Sequence, residues 1–269
     1  MVHTERYGVL RILVTNDDGI REPGLIALAG ELTRAGHEVH VLGPARERSG
    51  SSAGFATVVD HARIPIEPVV LDGLPGITAR AIDAPPALAV KAACAGALDW
   101  TPELVVSGIN PGFNTGRMVL HSGTVGAALT AVSHDVPGLA VSTARADADG
   151  FATAAVLAAW LVELAEAESL PPIALNLNVP ALPLAELDGI SAASFSDISV
   201  SDVGFVLEGD AFVVHRWQNQ PPFTPGTDAA HLHAGWATLS AVSPPWASAS
   251  PVDALADALC KRWIDTVRS

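Results

Sequence analysis

The most constraining feature of this chain is a regular alternation of short β-type apolar runs with helical segments, in which most of the β runs end in a polar cluster. Val9 to Thr15 (VLRILVT) predicts a strand that stops at the turn formed by Asn16, Asp17, Asp18 and Gly19. Pro23 suits the first turn of a helix running to about Ala35, Gly36 ends it, and Glu38 to Leu42 is the next strand. A Gly/Ser-rich loop follows from Gly43 to Gly54, and residues 56–83 alternate apolar and polar around LDGLPG, as a hairpin or irregular insertion does. Ala87 to Leu98 is expected to be helical, Glu103 to Ser107 a buried strand, and Gly108 to Gly123 a Gly/Asn-rich loop before a helix beginning near Thr124. Leu139 to Ser142, Phe151 to Glu166 and Ile173 to Asn178 continue the series as strand, helix and strand. Strands alternating with helices imply an α/β fold: a Rossmann-like, mostly parallel sheet with flanking helices.

From about Leu182 the pattern changes to short β-like pieces (SDISVS, AFVVHRW, WATLSAV) broken by prolines, and Val252 to Val267 is an amphipathic helix pattern. The expected organisation is therefore a catalytic core over 1–181, a β-rich oligomerisation arm over 182–250 and a C-terminal helix over 251–269 returning to the core. Unpaired strand edges in such an arm invite pairing between subunits, so a homodimer or homotetramer is expected.

Composition narrows the partners. The 269 residues are 49% hydrophobic, enough for a substantial core. Against 29 Asp+Glu there are only 15 Lys+Arg, a formal net charge of −14 that repels duplex nucleic acid. A small anionic substrate remains compatible, since a bound metal and local backbone amides reverse the sign inside a cleft. The charged start MVHTERYG does not fit a signal peptide, and Phe151 to Ala165 is expected to be too short to span a bilayer. Cys94 and Cys260 form no CxxC pattern and are read as buried free thiols, which favours a reducing compartment and the cytoplasm.

In open α/β sheets ligands bind beyond the carboxyl ends of the strands. Asn16, Asp17 and Asp18 lie there, as do Arg46, Arg48, Ser49, Ser51 and Ser52, then Asn110 and Asn114, then Ser142 and Thr143. Asp17 and Asp18 are either ordinary turn residues or two adjacent carboxylates that need a positive partner. A hard cation such as Mg²⁺ or Mn²⁺ takes the oxygen types that Asp17, Asp18, Ser49 and Asn110 supply, although strand-end position alone does not prefer Ser49 to Ser51. Ser122, Gly123 and Thr124 precede a helix and form either a plain N-cap or a phosphate site. The Gly108 to Gly123 loop matches neither GxGxxG nor the Walker pattern.

Taken together, NDDG at 16–19, PG at 23–24, RSG at 48–50, SGIN at 107–110, GFNTG at 112–116, SGT at 122–124 and PGTD at 225–228 resemble, in that order, the survival protein E (SurE) family of metal-dependent 5′/3′-nucleotidases. The resemblance runs from Ile12 to Pro244. It implies a Rossmann-like core, one divalent cation per subunit, hydrolysis of nucleoside monophosphates to nucleoside and phosphate, and oligomers built through the C-terminal arm. It places metal ligands at Asp17, Asp18, Ser49 and Asn110, and phosphate contacts at Asn114, Ser122, Gly123 and Thr124, with Asn16 beside them. Asp17 or Asp18 would orient the attacking water.

Two departures from the family pattern stand out. Arg117 and Met118 occupy positions where acidic residues are usual, and Ala84 to Leu88 (APPAL) replaces a Thr-Pro-x-Asp-Cys stretch. Arg117 is either a specificity residue that pairs with a second anionic group or an exposed arginine.

Rival readings are a phosphatase of this kind acting on another small phosphate monoester, a non-catalytic metal- or nucleotide-binding protein, and two weaker options. Gly50 to Gly54 fits GxSxG around Ser52, but without the strand–turn–helix setting of a nucleophile elbow. His231 and His233, sharing a face if their segment is a strand, could join Asp228 as a zinc site, with a solvated or core pair the favoured alternative. His121, beside SGT, is positioned for acid catalysis without being required for it.

Overall fold

A computed structural model describes residues 8–56, 58–144, 147–167 and 171–243. In chain order its elements are β1 (Arg11–Thr15), α1 (Pro23–Arg34), β2 (Glu38–Pro44), β3 (Ile66–Val69), β4 (Thr78–Ile82), α2 (Pro86–Cys94), β5 (Leu104–Pro111), α3 (Gly123–Val132), β6 (Gly138–Thr143), α4 (Ala148–Ala167), β7 (Ala174–Val179), β8 (Gly189–Ala192), β9 (Ser201–Glu208), β10 (Ala211–Gln218), α5 (Asp228–His233) and β11 (Trp236–Val242). The helix expected over 251–269 lies outside the described residues.

Among the described residues, nine strands form one sheet in the order β3-β4-β2-β1-β5-β6-β7-β11-β8. The run from β4 to β7 is parallel throughout, while β3 and β11 join it antiparallel. The central strands read as near-continuous apolar runs because both faces are covered. Ile12 and Val14 of β1 face the layer built on Leu25, Leu28 and Leu32 of α1 and Phe151, Leu157 and Val162 of α4. Leu13, between them, faces Val90 and Ala93 of α2 and Ala127 and Ala131 of α3. Truncating one of the fully buried leucines Leu25, Leu28 or Leu32 to alanine would cost about 2–5 kcal/mol, the range for buried aliphatic side chains. The β5-α3-β6 and β6-α4-β7 connections step the same way along the sheet with helices on opposite faces, so they have opposite hands.

Several expectations change here. The residue 56–83 segment does contain an antiparallel pair, β3 with β4, but β4 also pairs parallel with β2 and so extends the main sheet. Among the described residues of the expected arm, only β9 and β10 stand apart, as a two-stranded antiparallel sheet; β8 and β11 belong to the large sheet, because β11 pairs with β7 and β8 with β11. The segment holding His231 and His233 is helix α5, not a strand. Helix α4 begins at Ala148, earlier than expected, and Ala148–Ala165 is long and apolar enough to cross a membrane. It packs instead as a core helix, with Ala154, Leu157, Ala158 and Val162 buried against the sheet.

Candidate active site

The strand order fixes where a ligand can sit. From β1 the chain moves to β2 on one side, and β5 lies on the other. The carboxyl ends of β1 and β5 therefore border the crevice at the topological switch point. Asn16 to Gly19 leave β1 there. The Asn16 side chain closes the turn, donating from Nδ2 to the Gly19 carbonyl (2.9 Å) and accepting the Gly19 N–H on Oδ1 (3.3 Å). That Asx-type turn holds Asp17 and Asp18 at the strand end.

Asp17 is 3% exposed, and its Oδ1 accepts the Thr124 hydroxyl at 2.6 Å. Burial pushes its carboxyl above the usual range, opposed by the Thr124 hydroxyl and by the Gly123 and Thr124 amides. The first turn of α3 is thus already engaged by a carboxylate of the chain itself. Ser122 is the N-cap of α3, accepting Val125 N–H on Oγ at 3.1 Å. A Cβ on Gly123 would lie 2.7 Å from Asp17 Oδ2 and 2.8 Å from Ser51 Oγ. Only glycine lets the carboxylate and this hydroxyl converge over the start of the helix.

Asp18 is in a different condition. Its Oδ2 is buried without a hydrogen-bond partner. Burial first, then the neighbouring carboxylates of Asp17, Glu22 and Glu47, push its carboxyl up to about 7. Asn110 arrives from β5, where the register against β6 shifts between Ser107 and Asn110. Its Nδ2 donates to the Gly112 carbonyl (2.6 Å), which leaves Oδ1 as the end available to a ligand. Ser49 is exposed on the loop after β2 and donates to Glu47 Oε1 at 2.9 Å. Among the described residues no three His, Cys, Asp or Glu side chains cluster in a way that could hold a metal. The sequence-predicted donors at this cleft are the carboxylates of Asp17 and Asp18 and the neutral oxygens of Ser49 and Asn110, with the Glu22 and Glu47 carboxylates near Asp18. That set, with a partnerless carboxylate oxygen, fits one hard cation such as Mg²⁺ or Mn²⁺ better than zinc.

Across the cleft, Asn114 is locked in a buried amide network. Its N–H donates to Asn178 Oδ1 (2.8 Å) and its Nδ2 to Ser142 Oγ (2.8 Å). Its carbonyl accepts from Asn176 Nδ2 (2.9 Å) and Asn178 Nδ2 (3.0 Å). Asn176 and Asn178 were not singled out from the sequence. The available signal was two asparagines two apart in a buried strand, a costly placement unless satisfied.

The 3₁₀ turn Gly116–His121 is tied to the segment beyond β8. Asp228, fully buried, accepts Gly116 N–H on Oδ2 (2.9 Å) and Ser196 N–H on Oδ1 (2.9 Å). Met118 N–H donates to Ser199 Oγ (3.0 Å) and Val200 N–H to Thr115 Oγ1 (3.0 Å). Asp228 is a structural anchor and not a zinc ligand, and His231 and His233, two apart on a helix, do not share a face.

Arg117 points outward, its side chain 81% exposed in a 3.6 Å ion pair with the equally exposed Asp197. Ser52 Oγ donates to the Leu120 carbonyl (2.8 Å), and no helix follows Gly54, so Ser52 is not a nucleophile on an elbow. His121 is exposed, and its carbonyl accepts Ser52 N–H. Cys94 is a half-buried free thiol that burial pushes up to about 11.

The profile of the family described as survival protein SurE matches residues 12–202. This chain belongs to the SurE family. It is 43% identical over 183 residues to the 5′-nucleotidase SurE of Thermosynechococcus vestitus, covering 67% of this chain and 68% of the relative. Over 265 residues it is 39% identical to the 5′-nucleotidase SurE of Chloroflexus aggregans, covering 96% and 97%. The crystal structure of the SurE protein from Aquifex aeolicus superposes with a TM-score of 0.70 at 23% identity, covering 93% of this chain and 99% of that one, which shows a common fold.

Proposed function

We propose that this SurE family member is a divalent-metal-dependent phosphomonoesterase, a 5′/3′-nucleotidase that hydrolyses nucleoside monophosphates to nucleoside and phosphate. One observation carries the metal-dependent part: the partnerless buried oxygen of Asp18, beside Asp17, Glu22 and Glu47, at the switch point of the sheet. The nucleotidase part rests on the family and on relatives named 5′-nucleotidase SurE.

Asp17, Asp18, Ser49 and Asn110 would hold one Mg²⁺ or Mn²⁺, which would supply neutralisation of phosphate charge and a lowered pKa for water. Thr124 fixes the Asp17 carboxylate in one orientation through its hydroxyl. Asn114, immobilised by Asn176, Asn178 and Ser142, would need its Nδ2 released from Ser142 to donate to phosphate, and the Gly123 and Thr124 amides are turned to Asp17 at the start of α3. Ser122 contributes by capping the helix that carries them. Asn16 sets the turn that aims both carboxylates. Either Asp17 or Asp18 would orient the attacking water as a positioned carboxylate.

The β9–β10 hairpin exposes Phe205, Val206, Leu207, Phe212, Val214 and Trp217. An apolar ribbon of this kind fits a contact with further copies of the chain, in a homodimer or homotetramer. The free Cys94 thiol fits the cytoplasm. The test is phosphate release from a panel of phosphomonoesters after metal depletion with EDTA and after addition of Mg²⁺ or Mn²⁺. Activity should vanish and return, and full activity in EDTA would refute the metal-dependent reading. Metal binding with no release from any ester would make the chain a binding protein.

A further inference from the structure

The loop after β2 carries three serines, and their hydroxyls are used differently. Ser49 donates to Glu47 and Ser52 to the Leu120 carbonyl, whereas Ser51 Oγ is buried with no partner. A buried hydroxyl left unpaired is costly, so such a group in a native fold asks for an explanation. Its location supplies one. Ser51 Oγ and Asp17 Oδ2 lie 2.8 Å and 2.7 Å from the same point, the position a Cβ on Gly123 would take. The hydroxyl therefore stands at the amino end of α3, on the floor of the cleft beside the innermost carboxylate.

The backbone that carries it is fixed on every side. Ser51 N–H donates to the Arg48 carbonyl (3.1 Å), and Gly54 N–H donates to the Ser51 carbonyl (2.9 Å). Arg48 N–H is bonded to the Asp17 carbonyl (2.6 Å), so the loop and the β1 turn move together. Ser52 is pinned to His121 and Leu120, and its carbonyl lies 2.2 Å from where a Cβ on Gly126 would be, so the loop rests directly on α3. A hydroxyl held this rigidly pays little ordering entropy on meeting a ligand.

We propose that Ser51 is a further substrate-binding residue of this site, donating a hydrogen bond from Oγ to a non-bridging oxygen of the bound phosphoryl group. The inference rests on the phosphomonoesterase reading above. The Thr124 hydroxyl and the Gly123 and Thr124 amides beside this point are turned to Asp17, so the unengaged Ser51 hydroxyl is a donor complementary to an anionic oxygen.

The experiment compares the wild type with Ser51→Ala, Ser51→Cys and Ser51→Thr, all loaded with Mn²⁺. Three quantities are read: the inhibition constant of inorganic phosphate, kcat and KM for a nucleoside monophosphate, and Mn²⁺ affinity by calorimetry without substrate. Ser51→Ala and Ser51→Cys should weaken phosphate inhibition about tenfold, equivalent to about 1.4 kcal/mol. They should lower kcat/KM at least as much and leave Mn²⁺ affinity within twofold. Ser51→Thr, which keeps the hydroxyl, should recover most of both losses. An unchanged phosphate inhibition constant in the Ala and Cys variants would overturn the inference. So would a fall in Mn²⁺ affinity that matches the fall in phosphate affinity, since Ser51 would then act through Asp17, and so would a Thr variant no better than Ala. If the wild type itself releases no phosphate from any ester, the phosphomonoesterase reading fails. A working wild type matched by Ser51→Ala sinks the Ser51 inference alone.

Discussion

Asp18 should make the metal-free protein lose stability as pH rises through neutrality. Its carboxyl has an ordinary value of 3.8 and is held at about 7 in the folded chain without a cation, by burial and by Asp17, Glu22 and Glu47. A group whose folded value is raised contributes stability that is complete below its unfolded value and lost as pH climbs to its folded one. The window is therefore about pH 4 to 7, and the upper part of it is accessible to experiment. Each unit is worth about 1.36 kcal/mol, so raising the pH from 5 to 8 should remove about 2–3 kcal/mol, or about 2 once water reaching the half-buried group is allowed for. For a chain of this size that is a fall of roughly 4–8 °C in Tm. The assay is thermal unfolding of EDTA-treated protein from pH 5 to 8, on wild type and Asp18→Asn, repeated with Mn²⁺. The amide cannot ionise, so the difference between wild type and variant should grow with pH in EDTA, with Asp18→Asn the more stable at pH 8. With Mn²⁺ the order should reverse, because only the carboxylate binds the ion strongly. Parallel pH curves for the two proteins in EDTA would refute the reasoning that Asp18 is a buried charge awaiting a cation.

Three further outcomes follow from the geometry. Gly123→Ala forces a methyl to within 2.7–2.8 Å of Asp17 Oδ2 and Ser51 Oγ, so steady-state kinetics should show kcat/KM down by roughly a hundredfold, the scale for an ångström of misplacement; wild-type kinetics would remove the close approach from the argument. Arg117→Asp should leave KM for a nucleoside monophosphate within about twofold, because the exposed Arg117–Asp197 pair is a weak surface contact; a tenfold rise would restore Arg117 as a specificity residue. Replacing residues 203–216 by a short glycine turn removes most of the exposed apolar ribbon while keeping the Ser199 and Asp228 anchors, and light scattering should show a smaller assembly than the full chain; an unchanged mass would place the contact elsewhere.

The parts of the fold that were legible in the sequence are those specified locally. Strand β1, the Asn16–Gly19 turn, Pro23 at the start of α1 and Gly36 after it each declare themselves through side-chain period or backbone preference within a few residues. The second half is specified by pairings across long separations. β11 reads like any short β piece, and only its partnership with β7, some sixty residues earlier, makes it part of the main sheet. The six residues of α5 are too few to show a period, and Asp228, which opens that helix, is bonded to Gly116 and Ser196 far away in the chain.

The same division runs through the site. Residue types at strand ends pointed to one crevice, and the strand order brings Asp17, Asp18 and Asn110 to that switch point. What they could not show is how those residues are held. The family resemblance places a phosphate contact at Thr124, and in the fold its hydroxyl donates to Asp17. Asn114 depends on Asn176 and Asn178, whose role appears only when β7 lies beside β6 and its asparagines meet the loop. The resulting arrangement divides the two adjacent carboxylates by environment. Asp17 is satisfied by Thr124 and the start of α3, while Asp18 retains a buried oxygen with no partner. On the proposed metal-dependent reading, one carboxylate is anchored and the other is left in need of a cation, so a destabilised metal-free site would favour strong binding of an ion there.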